Sequence, residues 1–263
     1  MRDRAFSVQA KGAVMKIGII GAGNVGGTLV RKLSRLGHSI LVANSSGPNS
    51  LVDLVKETGA RASSVTDAVK GVDLVIVTIP LNSVPLLPEG LFRGLPDTLI
   101  VVDTCNYYPS SRDGHIAEID NGMTESVWVA QHLGRPVLKA FNNIMAQSLS
   151  GKGLSSGTKG RIAAPVSGDD QHAKEVLIRL IDTLGFDGID AGSIDESWRQ
   201  QPGTPVYCTD LDIAGVRRAL SQANRVRSPE LREAVMAKMQ LMPANSPPND
   251  TVLLMRSVED IFA

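Results

Sequence analysis

The stretch "KIGIIGAGNVGGTLVRKLSRLGHSILVA", Lys16 to Ala43, constrains the fold more than any other part of the chain. Lys16–Ile20 reads as a short buried strand. From about Asn24 to Leu36, Val25, Leu29, Val30, Leu33 and Leu36 recur at helical spacing, and Gly37 ends the run. Ser39–Ala43 reads as a second strand. Between the first strand and the helix stand Gly21, Gly23 and Gly26, a G-x-G-x-x-G pattern. There the first glycine permits a tight turn, the second lets the backbone approach a pyrophosphate, and the third allows close helix–strand packing. A helix starting near Asn24 aims free N–H groups and its positive dipole end at phosphates. A ligand-free glycine turn is the plain alternative. The strand before and the helix and strand after favour a dinucleotide site.

The same alternation continues. Strands are expected at Asp73–Pro80, Thr98–Asp103, Pro136–Ala140 and Arg161–Ser167, with extended stretches near Ala60 and at Asp187–Gly192. Helices are expected around Ser50–Thr58 and Glu125–Leu133. Another, ending at Gly185, carries Val176, Leu177, Leu180, Ile181 and Leu184 on one face. Residues 15–192 therefore predict an α/β domain with a Rossmann-type doubly wound, mainly parallel sheet.

Beyond Gly192 the strand signals fade. "SPELREAVMAKMQLM" predicts a helix with Ser228 as N-cap and Pro229 in its first turn. Pro243–Asp250 reads as a loop, and Val252–Phe262 as a last helix. Residues 193–263 are thus expected to form a small helical appendage serving as a substrate lid or a homodimer contact. Residues 1–14 are expected to be a disordered extension, with Met15 as an alternative start.

Lysine plus arginine and aspartate plus glutamate number 27 each, so the formal net charge is zero. That balance argues against a broad nucleic-acid or membrane-surface footprint. No apolar run reaches the roughly 20 residues that span a bilayer, and residues 1–14 lack the apolar segment of a signal peptide. Two distant cysteines, Cys105 and Cys208, fit a reduced, cytoplasmic setting. His38, His115, His132 and His172 show no metal-ligand spacing, so no metal is expected.

A site selective for NAD usually carries an acid about 20 positions beyond the glycines, on the ribose 2′-hydroxyl. Here the second strand ends in Ala43, Asn44, Ser45, Ser46 and Gly47, and the first acid is Asp53. Asn44, Ser45 and Ser46 offer hydrogen bonds that a 2′-phosphate can accept, although an ordinary polar turn has the same composition. The loop has no arginine, the usual bidentate phosphate partner. NADP is the expected cofactor, with NAD left open.

In such sheets ligands lie beyond the carboxyl ends of the strands, where Pro80, Asn106, Asn142 and Asn143 fall. Capping is the alternative role for the asparagines. Hydride transfer to or from a nicotinamide is carried by the cofactor itself, so no catalytic side chain is assigned. Asp169 and Asp170 read as helix caps, and Cys105 as a small buried hydrophobe. Lys139 sits inside a strand, without the glycine-rich substrate motif of hydroxyacid dehydrogenases.

Four segments together resemble one family: "IGIIGAGNVGGTLVRKLSRLGHSILVANS", "DLVIVTIPLNSV", "VLKAFNNI" and "RIAAPVSGDDQHAKEVLIRLIDTLGFDGIDAG". They resemble the NADP oxidoreductases dependent on coenzyme F420, a deazaflavin, and the related reductase domain of metalloreductases. The resemblance implies that Ala22, Gly23, Asn24 and Val25 line the pyrophosphate and that Asn44 and Ser45 meet the 2′-phosphate. It also implies that Thr78, Ile79 and Pro80 lie near the nicotinamide half. Family members commonly have Ser-Arg or Arg-Arg where this chain has Asn44-Ser45-Ser46. The function expected is hydride transfer between NADP(H) and a deazaflavin or flavin-like acceptor. NADP-dependent reduction of a hydroxy acid, imine or metal complex, and non-catalytic NADP sensing, are the alternatives.

Overall fold

The computed structural model describes residues 14–243 and 246–257. The expectations for residues 1–13, and for the helix beyond residue 257, lie outside the described residues. The chain opens with β1 (Lys16–Ile20), α1 (Asn24–Arg35) and β2 (Ser39–Ala43). There follow α2 (Val52–Thr58), β3 (Arg61–Ala62), α3 (Val65–Ala68), β4 (Leu74–Val77) and β5 (Ile100–Asp103). Next come α4 (Ala117–Asp120), α5 (Glu125–Leu133), β6 (Leu138–Lys139) and α6 (Ala146–Gly151). The described chain ends with β7 (Ala163–Val166), α7 (Gln171–Thr183), β8 (Asp187–Asp190), α8 (Ile213–Gln222), α9 (Ser228–Gln240) and α10 (Pro248–Arg256).

Six strands form a parallel sheet in the order β3-β2-β1-β4-β5-β6. This is the doubly wound topology expected, with the order reversing beside β1. β7 and β8 pair parallel in a second sheet, joined to β6 by an isolated antiparallel bridge between Lys139 and Ser167. Parallel strands covered on both faces read as unbroken apolar runs, and all four residues of β4 are buried. One face packs Ile17, Ile19 and Ile76 against Leu29 and Leu33 of α1 and Leu177 and Ile181 of α7. The other packs Val75, Val77 and Val101 against Trp128 and Val129 of α5.

Several elements differ from expectation for local reasons. β4 is shorter than Asp73–Pro80 because the ladder to β1 spans only Leu74 to Val77, after which the Thr78 amide donates to Ile20 O at 2.8 Å. α3 follows a Ser64 cap whose hydroxyl accepts from Asp67 N–H. It fits against β1 because residue 18 is glycine: a Cβ there would sit 1.9 Å from Ala68 O. α8 is capped by Asp212, whose Oδ1 accepts from Gly215 N–H at 2.9 Å. In α9, Ser228 lies inside the first turn, Arg227 takes the cap position, and the Ser228 hydroxyl donates back to Asn224 O. α10 begins at Pro248, inside the stretch expected to be a loop.

Candidate dinucleotide-binding site

The glycine turn lies at the carboxyl end of β1, between β2 and β4. Gly21 has φ +109°, and its N–H donates to Ala43 O at 2.8 Å. A Cβ on Gly21 would lie 2.1 Å from Thr78 O, and one on Gly26 only 2.0 Å from Gly21 O. These two glycines are thus required by the protein's own packing. Gly23 differs: a Cβ there meets nothing within 4 Å. It is exposed at the mouth of the turn, where a bound group can reach the backbone.

The first turn of α1 completes the cradle. Its N-cap is Gly23, which supplies no side-chain hydrogen bond, and the first turn holds no acidic residue. The leading N–H groups, which no capping side chain serves, together with the helix dipole, favour an anion at this point. An open backbone approach beside an uncapped helix N-terminus fits a dinucleotide pyrophosphate. Ala22 and Val25 are half-buried beside the turn, and Asn24 is exposed.

At the end of β2, the Asn44 amide donates to Ser50 Oγ at 2.8 Å, and the Ser50 hydroxyl donates to Gly47 O at 2.8 Å. Asn44 thereby shapes the loop, while Ser45 and Ser46 stand exposed at its tip. At the end of β4, Thr78 and Ile79 are half-buried and Pro80 is exposed. The segment after β5 packs alongside: Thr104 N–H donates to Val77 O at 3.0 Å.

Two of the asparagines expected at the strand ends, Asn106 and Asn142, do meet. Asn106 Nδ2 donates to Asn142 O at 3.0 Å, and Asn142 Nδ2 donates to Asn106 Oδ1 at 3.1 Å. Asn142 is buried with both N–H bonds and its oxygen engaged inside the protein. Its side chain therefore offers a ligand no free N–H. Asn106 stays half-exposed. Phe141, just before this pair, adopts φ +59°, a strained conformation for an aromatic residue. Asn143 is buried and bonds through its carbonyl to Cys208 N–H.

Residues passed over in the sequence also serve this region. Gln200, fully buried in the segment Asp195–Gln200, donates to Asn142 Oδ1 at 3.0 Å and accepts from the Ser167 hydroxyl at 2.9 Å. Below the strand ends, Lys139 Nζ lies 3.1 Å from Asp103 Oδ2 and 3.9 Å from Glu125 Oε2. All three side chains are buried. Burial pushes the Glu125 carboxyl up to about 7, against the opposing pull of Lys139 and Arg232. The only sequence signal for this cluster was charge inside apolar strands, in "VVD" and "VLKA".

The tail also closes over the loop after β5. The hydroxyls of Tyr108 and Tyr207 hydrogen-bond to each other, and the Arg112 guanidinium lies 4.9 Å from the Tyr108 ring centre. Arg112 pairs with Asp113 and donates to Asn106 O.

Three of the histidines take local partners. His38 Nδ1 accepts from Met15 N–H, His132 bonds Trp128 O, and His115 pairs with Asp120. Among the described residues no group of histidine, cysteine, aspartate or glutamate could hold a metal ion. Asp170 caps α7 through Ala173 N–H, while Asp169 accepts from Ile194 N–H. Cys105 is buried, and burial holds its thiol well above its usual range.

This cradle has known counterparts. Residues 16–107 match the family described as NADP oxidoreductase, coenzyme F420-dependent. The chain carries an F420-dependent NADP oxidoreductase-family domain. That domain spans β1 to β5 with the glycine turn, the Asn44–Ser46 loop and the Thr78–Pro80 turn. The chain is also 45% identical over 101 residues to YjhV of Escherichia coli (strain K12), a match covering 37% of this chain and 66% of YjhV. Protein SMa0349 from Sinorhizobium meliloti, a hypothetical protein of known structure, superposes with a TM-score of 0.61 at 27% identity. The overlap covers 74% of this chain and 94% of that one. A candidate F420-dependent NADP-reductase from Arthrobacter sp. FB24 superposes with a TM-score of 0.55 at 25% identity, covering 68% and 86%. No helix among the described residues is long and apolar enough to cross a membrane.

Proposed function

We propose that the protein transfers hydride between NADP(H) and a deazaflavin or flavin-like acceptor. The observation that carries this reading is the cradle at Gly21–Gly26, open at Gly23 and backed by an uncapped α1, inside a segment that matches F420-dependent NADP oxidoreductases. The preference for NADP over NAD rests on the end of β2. Ser45 and Ser46 are exposed donors there, and no carboxylate stands at the strand end to oppose a 2′-phosphate.

When bound, the nicotinamide and the acceptor ring supply the redox chemistry. The protein's part is to hold the two rings in contact and keep water out. The Gly21–Gly26 turn and α1 would hold the pyrophosphate, and the Thr78–Pro80 turn and Asn106 would border the nicotinamide half. An acceptor ring would enter beside Tyr108 and Arg112, where the tail covers the loop after β5.

The test follows NADPH absorbance with purified protein and coenzyme F420, with FMN and NADH in parallel. Turnover confined to NADPH with the deazaflavin supports the full reading. Saturable NADPH binding with no turnover on F420 or FMN overturns the acceptor assignment.

A further inference from the structure

At the carboxyl ends of β5 and β6, three carboxamides interlock. Gln200 Nε2 donates to Asn142 Oδ1 at 3.0 Å and to Lys139 O at 3.3 Å, while its Oε1 accepts from the Ser167 hydroxyl at 2.9 Å. Asn142 Nδ2 then donates to Gln200 O at 2.6 Å and to Asn106 Oδ1 at 3.1 Å. Asn106 closes the chain by donating to Asn142 O at 3.0 Å.

A carboxamide has two N–H donors and two acceptor lone pairs. Asn142 spends both donors inside the protein, and Gln200 is fully buried. Asn106 is the half-exposed end of the chain, with one N–H and one lone pair committed to Asn142. One donor and one acceptor remain on it, the complement of another carboxamide. The segment carrying it runs beside the end of β4, through Thr104 N–H to Val77 O, so Asn106 borders the turn at Thr78–Pro80.

We propose that Asn106 recognises the carboxamide of the nicotinamide ring, and that Gln200 is a positioning residue that fixes Asn106 through Asn142. This rests on the dinucleotide reading above and deepens it. It gives the C-terminal segment a role at the cofactor itself, because Gln200 lies beyond the second sheet, yet its amide orients the group that meets the ring. A carboxamide held at both ends loses less side-chain freedom when it binds, so the contact is stronger than one made by a free asparagine.

The test compares binding of NADP+ with that of 2′-phospho-ADP-ribose, which keeps both phosphoryl groups of the pyrophosphate and the 2′-phosphate but lacks nicotinamide. Calorimetry is run on the full chain, on Asn106→Ala and on Gln200→Met, with the conservative Asn106→Asp as a third variant in case truncation disturbs folding. In every variant that melts like the wild type, NADP+ is expected to bind about tenfold more weakly, the worth of one to two hydrogen bonds. The nicotinamide-free fragment is expected to bind as before. Equal weakening of both ligands, or of neither, overturns the proposal while leaving the dinucleotide site standing. Wild-type protein that binds neither ligand overturns the dinucleotide reading and this proposal with it.

Discussion

Lys139 Nζ lies 3.1 Å from Asp103 Oδ2, with both side chains wholly removed from solvent at adjacent strand ends. Asp103 is fully committed: its Oδ1 accepts from Cys105 N–H and its Oδ2 also accepts from the Ser126 hydroxyl, each at 2.7 Å. Lys139 also donates to Cys105 O. The pair therefore fixes the backbone from which Asn106 projects. Removing one partner of a buried pair strands the other charge in a medium that solvates it poorly, at a cost of roughly 3–5 kcal/mol. Lys139→Met is expected to lower the urea midpoint accordingly. The double variant Lys139→Met/Asp103→Asn, which leaves no lone charge from the pair, is expected to regain much of that loss. A single variant as stable as the wild type would show that the pair does not hold these strand ends.

Glu125 gives the same cluster a dependence on pH. It faces Lys139, Asp103 and Arg232, and it accepts from Tyr107 N–H, but burial outweighs these and its carboxyl stands at about 7. The unfolded chain returns it to about 4.3. The folded state thus binds the proton more tightly, so this group's contribution is intact below about pH 4, falls as pH rises, and levels off above about 7. Integrated over that window, the loss is roughly 4 kcal/mol. Glu125→Gln is expected to flatten the decline, giving the variant a growing advantage over wild type between pH 5 and 7. Urea denaturation at several pH values reads this directly, and parallel curves for the two proteins would sink the assignment.

The three glycines of the turn should separate into two kinds under substitution. Gly21→Ala and Gly26→Ala each press a Cβ to within about 2 Å of a backbone carbonyl oxygen. Gly21 also requires positive φ. Both variants are expected to lose several kcal/mol of stability, because backbone must shift to admit the methyl. Gly23→Ala meets no protein atom, so its melting temperature should match the wild type while NADPH binding weakens severalfold or more. Loss of stability in Gly23→Ala, or intact NADPH binding, would show that this opening is not where the pyrophosphate sits.

Legibility in the sequence followed how local each signal was. β1, β2 and α5 stand at the bounds expected, because apolar spacing and terminal glycines sit within the elements themselves. β4 and β6 came out shorter because a strand's length is set by its neighbours, which no local pattern reveals. α8 was overlooked although Asp212, followed by Val216, Ala219 and Leu220, carried a cap and a buried face. The glycine turn was readable as a cofactor cradle, but not the division between Gly23 and its two companions, which depends on Thr78, just past β4, and on the Gly21 carbonyl. The Asn106–Asn142–Gln200 chain joins residues up to 94 positions apart in number. Single polar residues at such separation leave no period to read, and Gln200 lay in a stretch whose sequence suggested only a lid or a contact.

The end of β2 offers the sharpest control over cofactor choice. Ser45 is exposed at the loop tip, while Asn44 is tied to Ser50 and shapes the loop beneath it. An arginine at position 45 would bring a guanidinium fork to the position the resemblance gives to the 2′-phosphate, adding charge-assisted hydrogen bonds that NADH lacks a partner for. Ser45→Arg is therefore expected to tighten NADPH about tenfold, the worth of one charge-assisted hydrogen bond, and to leave NADH within about twofold. The gain should shrink as salt rises, since an exposed ion pair is screened over a Debye length of about 8–10 Å. Fluorescence titration of both cofactors at two ionic strengths measures it. Equal tightening of both cofactors would mean that position 45 meets the pyrophosphate or the adenine instead, and no change in either would place the 2′-phosphate away from this loop.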